Sequence, residues 1–261
     1  MLRIAGHPVH AALIILDKDG TLLAFDALWH AWFDAWRQAL EARIPMDAPL
    51  RQAIAETLGV NPATDTWDPR GPLTLAATAE IGVLLAGLLY RYRGIPWDET
   101  LDVVQEAERA ARRHIATGDL IQPIGDVRGW LQRLRAAGLR IAIVTTDERA
   151  FTELGLARLA LTPLIDTMVC GDDGLPLKPA PDAALEVCRR LGVPPEAAIM
   201  VGDTVADMAM ARRAGLARAV GVASGALSAE ALAPHADVVI PDIHAITVAP
   251  AGDAHDKDMH P

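Results

Sequence analysis

The chain has 261 residues, 51% of them hydrophobic and 22% charged, enough to bury a sizeable core and too apolar for wholesale disorder. Its formal net charge of −10 argues against general binding of nucleic acid or of anionic membrane surfaces, so no nucleic-acid or membrane partner is expected. Two cysteines, Cys170 and Cys188, show no metal-ligand spacing and make no disulfide framework, so a cytoplasmic location is expected. No feature specifies an oligomeric state.

The N-terminal apolar stretch AALIIL is short and runs straight into charges, so no signal peptide is expected. The run Ala12–Leu16 stops at Asp17-Lys18-Asp19-Gly20-Thr21, the pattern of a buried parallel strand ended by turn residues. The same pattern returns at Ile141–Val144 before Thr145-Thr146-Asp147, and at Ala198–Val201 before Gly202-Asp203. Weaker versions lie at Thr167–Cys170, Ala219–Val222 and Val238–Ile240. Helical spacing fills the gaps at Val127–Ala137, Asp182–Leu191 and Val205–Ala214, each followed by Gly, a C-terminal helix signal. Strands alternating with helices predict an α/β fold, a Rossmann-like parallel sheet covered on both faces.

Residues 23–118 break this rhythm. They show no convincing strand and read as helices over Ala27–Arg43, Leu50–Leu58, Leu75–Tyr92 and Trp97–Thr117, punctuated by Pro and Gly. The apolar run Ile81–Tyr90 has ten residues, well short of the roughly 20 a membrane span needs. The organisation expected is an α/β core from 1–22 and 119–250, an all-helical insert at 23–118 and a polar tail at 251–261.

The chemistry lies at the predicted strand ends, which meet along one edge of a parallel sheet. Asp17 and Asp19 are two residues apart. The first can attack phosphorus, and the second can protonate a leaving oxygen and later accept a proton from water. A calcium loop would want Gly at the sixth place and Glu at the twelfth; Leu22 and Leu28 stand there. Thr145 or Thr146 can donate a hydroxyl to a phosphoryl oxygen. Lys178, followed by Pro179 and Pro181, can hold phosphate as a point charge. Asp203 and Asp207 are one helical turn apart and supply the hard oxygen ligands that suit Mg²⁺. The bland readings are a solvated turn, a strand-ending Thr, a surface Lys and an acidic helix start.

Together these stretches resemble the haloacid dehalogenase superfamily, in particular its phosphoglycolate phosphatase-like branch. IILDKDGTL, IAIVTTD, LKPAPD and MVGDTVADMAMARRAG are similar to that family's four motifs in order and spacing, over about 10–22 and 120–245. The resemblance implies Asp17 as nucleophile and metal ligand, and Asp19 as acid/base with its carbonyl on the metal. It implies Thr145, rather than Thr146, and Lys178 on the phosphoryl group, and Asp203 and Asp207 on Mg²⁺, the latter directly or through water. It further implies a helical C1-type cap and a small-molecule phosphate ester as substrate, phosphoglycolate or a sugar phosphate. Asp19 argues against dehalogenation, whose halide needs no proton. The lysines are Lys18, Lys178 and Lys257, so the insert has none for Schiff-base chemistry. A phosphomutase and a non-catalytic binding module on the same fold remain as alternatives. In the insert, Arg70 could meet a substrate anion, and Asp26 and His30 could face the cleft. Trp29, Trp32 and Trp36 form a stripe at helical spacing that usually means core packing.

Overall fold

The computed structural model describes residues 1–64, 66–117 and 119–248, with the side chains of Asp26 and Thr117 outside the described set. The expected tail at 251–261 lies outside the described residues.

In chain order the structure begins with β1 (Leu2–Ile4), β2 (His7–Val9) and β3 (Leu13–Leu16). The segment after it holds α1 (Phe25–Glu41), α2 (Ala48–Leu58), β4 (Val60–Asn61), β5 (Thr66–Trp67), α3 (Pro72–Leu75), α4 (Thr78–Arg93) and α5 (Trp97–Thr117). Then come α6 (Val127–Ala136), β6 (Arg140–Val144), α7 (Arg149–Arg158), β7 (Thr167–Val169), α8 (Asp182–Leu191), β8 (Ala198–Gly202) and α9 (Val205–Arg213). The last described elements are β9 (Arg218–Val222), α10 (Ala229–Leu232), β10 (Val238–Ile240) and β11 (Ile246–Val248).

Six strands form a sheet in the order β10-β9-β8-β3-β6-β7, parallel at every pairing. The central strand reads LIIL and is buried at all four positions, as a strand covered on both faces must be. Its alternation divides the core. Ile14 and Leu16 pack on one face with Trp130, Leu131 and Leu134 of α6. Leu13 and Ile15 pack on the other with Val187 of α8 and Met208 of α9. Chain order runs outward from β3 through β6 to β7, then crosses to β8 on the other side of β3. The switch point therefore lies beside β3, where a parallel sheet leaves a crevice at its carboxyl edge.

Three features differ from the sequence expectation. A second, antiparallel sheet, β11-β1-β2, joins the N-terminus to the last described strand, and the Trp130 indole donates to the Ile246 carbonyl at 2.9 Å. The insert contains a two-residue hairpin, with Val60 opposite Trp67, too short for any period-2 pattern to show. The helix expected at Leu75–Tyr92 is split. Pro72 starts α3, Ala76 turns extended at ψ 150°, and Glu80 accepts from the freed Ala77 N–H at 2.9 Å to start α4.

The helices between β3 and β6 pack as a group, α5 against both α1 and α4. The two chain segments joining this group to the sheet are hydrogen-bonded to each other, Ala24 N to Gln122 O at 2.9 Å and Ile124 N to Leu22 O at 2.9 Å. Among the described residues no helix is long and apolar enough to cross a membrane.

Candidate active site

Asp17 follows the last residue of β3, and its backbone N–H continues the ladder to the Val201 carbonyl at 2.9 Å. The chain then turns tightly. Leu22 and Leu23 both donate to the Lys18 carbonyl, at 2.9 and 3.0 Å. Gly20 sits at φ +84°, and a Cβ there would stand 2.3 Å from Asp203 Oδ2, so the turn demands glycine for conformation and for space. This turn brings Asp17 and Asp19 to one cleft with Thr145, Thr146, Lys178 and Asp203. The strand ends converge as the motif spacing implies.

Lys178 is the hub. Its ammonium donates to Asp17 Oδ1 at 2.5 Å and to Asp207 Oδ1 at 2.7 Å. Asp207 is fully buried and stands behind the cleft rather than in its wall. Its Oδ2 accepts from the Thr204 hydroxyl at 2.6 Å and from the Thr204 backbone N–H at 3.1 Å, closing the N-terminus of α9. Both oxygens are thus engaged, and the structure sets Asp207 against Lys178 and the helix start. Asp203 accepts from the Ala226 N–H at 2.7 Å.

Burial raises the Asp17 carboxyl to about 7, with Asp207 and Asp19 adding repulsion and Lys178 pulling the other way. Burial also raises Asp203 well above the carboxylate range, reinforced by Asp17 and Asp207. Burial opposes the Lys178 charge, yet Asp17 and Asp207 hold its pKa above the lysine value. Asp17, Asp203 and Asp207 against one ammonium leave a formal charge of −2. Among the described residues no three His, Cys, Asp or Glu side chains close into a ligand set on their own. Mg²⁺ does not need one: it is held by one or two carboxylates with waters and substrate oxygens. Its charge matches the local deficit.

Lys18, to which the motif reading gives no role, is drawn into the site. It is 1% exposed, and its ammonium lies 2.6 Å from Asp19 Oδ2 and 3.0 Å from Asp147 Oδ2. Asp147 Oδ1 accepts from Arg112 of α5 at 2.8 Å, and Arg112 also meets Glu108 at 2.5 Å and the Thr78 hydroxyl at 2.8 Å. Asp147 stood in the sequence directly beside Thr146; Arg112, 35 positions away, carried no local signal.

The opposite wall of the cleft comes from the helical insert: Phe25 and Trp29 of α1, Leu73 and Leu75 of α3, and Thr78 and Ile81 of α4. Trp32 and Trp36 pack in the core as expected of the stripe, but Trp29 faces the cleft. Two of the insert residues named from the sequence lie elsewhere. Arg70 is exposed and borders a neighbouring open depression with Pro72, Glu80 and Leu84, which meets the cleft at Leu75 and Ala76. His30 stacks on Trp67, ring centroids 4.5 Å apart, beside Phe33 and Arg37. The Asp26 side chain lies outside the described residues.

The haloacid dehalogenase-like hydrolase family matches residues 11–215, and the chain belongs to that family. It is 29% identical over 169 residues to Protein CbbY of Rhodobacter capsulatus, covering 64% of this chain and 74% of that protein. A phosphoglycolate phosphatase of Cupriavidus necator is 35% identical over 106 residues, 40% of this chain and 46% of that one, so this match spans about half of the relative. Among solved structures, a β-phosphoglucomutase from Clostridium difficile superposes with a TM-score of 0.62 at 16% identity, over 89% of this chain and 91% of that one, a likeness of fold.

Proposed function

We propose that the protein is a magnesium-dependent phosphatase that hydrolyses a small phosphate monoester through a phosphoryl group carried on Asp17. The observation that carries this reading is the buried Asp17 carboxylate at the end of β3, held by Lys178 at 2.5 Å and facing a cleft it shares with Asp19, Thr145 and Asp203. Asp17 attacks phosphorus, the bond from phosphorus to the ester oxygen breaks, and Asp19 gives that oxygen a proton, releasing the alcohol. Water then attacks the phosphoryl group on Asp17, Asp19 takes its proton, and inorganic phosphate leaves. Thr145 and Lys178 hold the phosphoryl oxygens, with Thr146 beside them in the cleft wall, since this transfer needs positioning and charge stabilisation more than covalent help. Asp207 acts by fixing Lys178. Asp17, Asp203 and the Asp19 carbonyl would hold Mg²⁺, which when bound neutralises carboxylate and phosphoryl charge.

The helical segment at 23–118 serves as a cap over the cleft, a role supported by the apolar wall it supplies and by the paired connections at Leu22–Ala24 and Gln122–Ile124. Two buried, unpaired thiols support a reducing, cytoplasmic setting.

The test is Asp17→Asn. An amide cannot replace the attacking carboxylate, so phosphate release from p-nitrophenyl phosphate should fall by a factor on the order of 10⁶, with circular dichroism unchanged. A folded variant retaining more than a few per cent of activity would sink the reading.

A further inference from the structure

Asp19 is held from the helical insert as well as from the sheet. Its Oδ2 lies 2.6 Å from the Lys18 ammonium, and that ammonium lies 3.0 Å from Asp147 Oδ2. Asp147 Oδ1 accepts from Arg112 of α5 at 2.8 Å. Both cations also stand over the Phe151 ring, Lys18 Nζ 5.6 Å and Arg112 Cζ 4.6 Å from its centroid, a favourable placement for each. The Trp29 indole N–H of α1 reaches the Asp19 carboxyl as well. The insert thus meets Asp19 directly through α1 and at a distance through α5.

Arg112 does not line the cleft, so its charge acts on the chemistry only through its neighbours. Its guanidinium is fixed in direction by three partners, Glu108, Asp147 and the Thr78 hydroxyl. A planar fork held in this way is a rigid anchor, whereas the Lys18 ammonium is a compact charge on a flexible stem. Lys18 stands between two carboxylates and follows the stronger field. Arg112 offsets part of the Asp147 charge, and the ammonium sits nearer to Asp19, at 2.6 against 3.0 Å. Without Arg112 the Asp147 carboxylate would draw Lys18 towards itself, since charges a few ångströms apart in a buried site interact strongly. Asp19 Oδ2 would then lose its anchor. The Asp147 backbone is held separately: its N–H donates to the Thr145 hydroxyl oxygen at 3.1 Å, and its carbonyl accepts from the Gly171 N–H at 2.8 Å. Loss of Arg112 therefore frees the Asp147 carboxylate and leaves Thr145 in place.

We propose, resting on the phosphatase reading above, that Arg112 is a positioning residue for proton transfer: acting through Asp147 and Lys18, it holds the Asp19 carboxyl in the orientation that protonates the departing ester oxygen.

The test is the dependence of kcat/KM on the leaving group, measured by phosphate release with saturating Mg²⁺ on p-nitrophenyl phosphate, phenyl phosphate and ethyl phosphate. This ratio reports the step in which the alcohol or phenol departs, before water enters. A p-nitrophenolate leaves without a proton, and an alkoxide does not. Arg112→Met should stay within about threefold of wild type on p-nitrophenyl phosphate and lose about ten- to hundredfold on ethyl phosphate, with phenyl phosphate between them. Arg112→Lys restores a charge beside Asp147 and should recover most of the loss. If Arg112→Met does not fold, Arg112→Gln, which keeps a donor and removes the charge, carries the same comparison. With the wild-type enzyme active, equal losses on the three esters, no loss on any, or a loss that Arg112→Lys leaves in place overturns the positioning role and leaves the phosphatase reading standing. A wild-type enzyme inactive on all three esters overturns both.

Discussion

Arg112 donates to Asp147 Oδ1 at 2.8 Å, and this bond ties α5 of the helical insert to the loop that follows β6. Asp147 in turn meets Lys18 at 3.0 Å, and Lys18 meets Asp19 at 2.6 Å. The four side chains alternate in sign from the insert to the edge of the cleft. Burial opposes every one of these charges, but Lys18 and Arg112 are held above their ordinary pKa values and Asp147 below its own by their neighbours. The arrangement engages Asp19 through Oδ2 and leaves Oδ1 outside the ion-pair chain.

Removing one partner of such a buried network leaves an uncompensated charge. Lys18→Met should lower the unfolding free energy by about 3–5 kcal/mol, measured by urea denaturation. A loss inside about 0.5 kcal/mol, the range of ordinary surface substitutions, would mean that the ion pairs are not formed in solution.

Asp19→Asn should act on chemistry rather than on folding. An alkyl phosphate needs a proton on its departing oxygen, so its turnover should fall about 10²- to 10⁴-fold. p-Nitrophenolate leaves without help, and that ester should lose far less. Equal losses on the two substrates would take the proton-donor role away from Asp19.

Removal of metal should abolish activity and destabilise the fold together. EDTA should inactivate the enzyme and Mg²⁺ restore it. Ca²⁺, with its longer bonds and looser shell, should substitute poorly. Because Asp17, Asp203 and Asp207 outnumber the Lys178 ammonium, the thermal midpoint should rise with added Mg²⁺ as the ion binds the native state. Full activity in chelator would remove Asp203 from a ligand role.

Arg70→Ala should leave KM unchanged for anionic and neutral esters alike, because the side chain is exposed outside the motif cleft. A selective rise in KM for an anionic ester would show that the loop around Arg70 reaches the substrate.

The sequence by itself determined the sheet and one wall of the site. Buried parallel strands read as short apolar runs, and a turn that carries chemistry advertises itself, as in Asp17-x-Asp19-Gly20-Thr21, because few residue types can make it. β10 and α8 begin and end where their patterns place them. Only the tertiary structure decided the rest, because it depends on pairs far apart in the chain. β1 finds its partner β11 more than 240 residues away, and no local period records such a pairing. Arg112 meets Asp147 across 35 positions. Trp29 and Trp32 share one helical stripe, yet one lines the cleft and the other the core; periodicity gives the apolar face of a helix, and only packing says which part of that face stays open. Nothing local marks Lys18 as buried, yet the fold surrounds it with carboxylates, and the cost of burying an ion is repaid by neighbours that a linear sequence does not place.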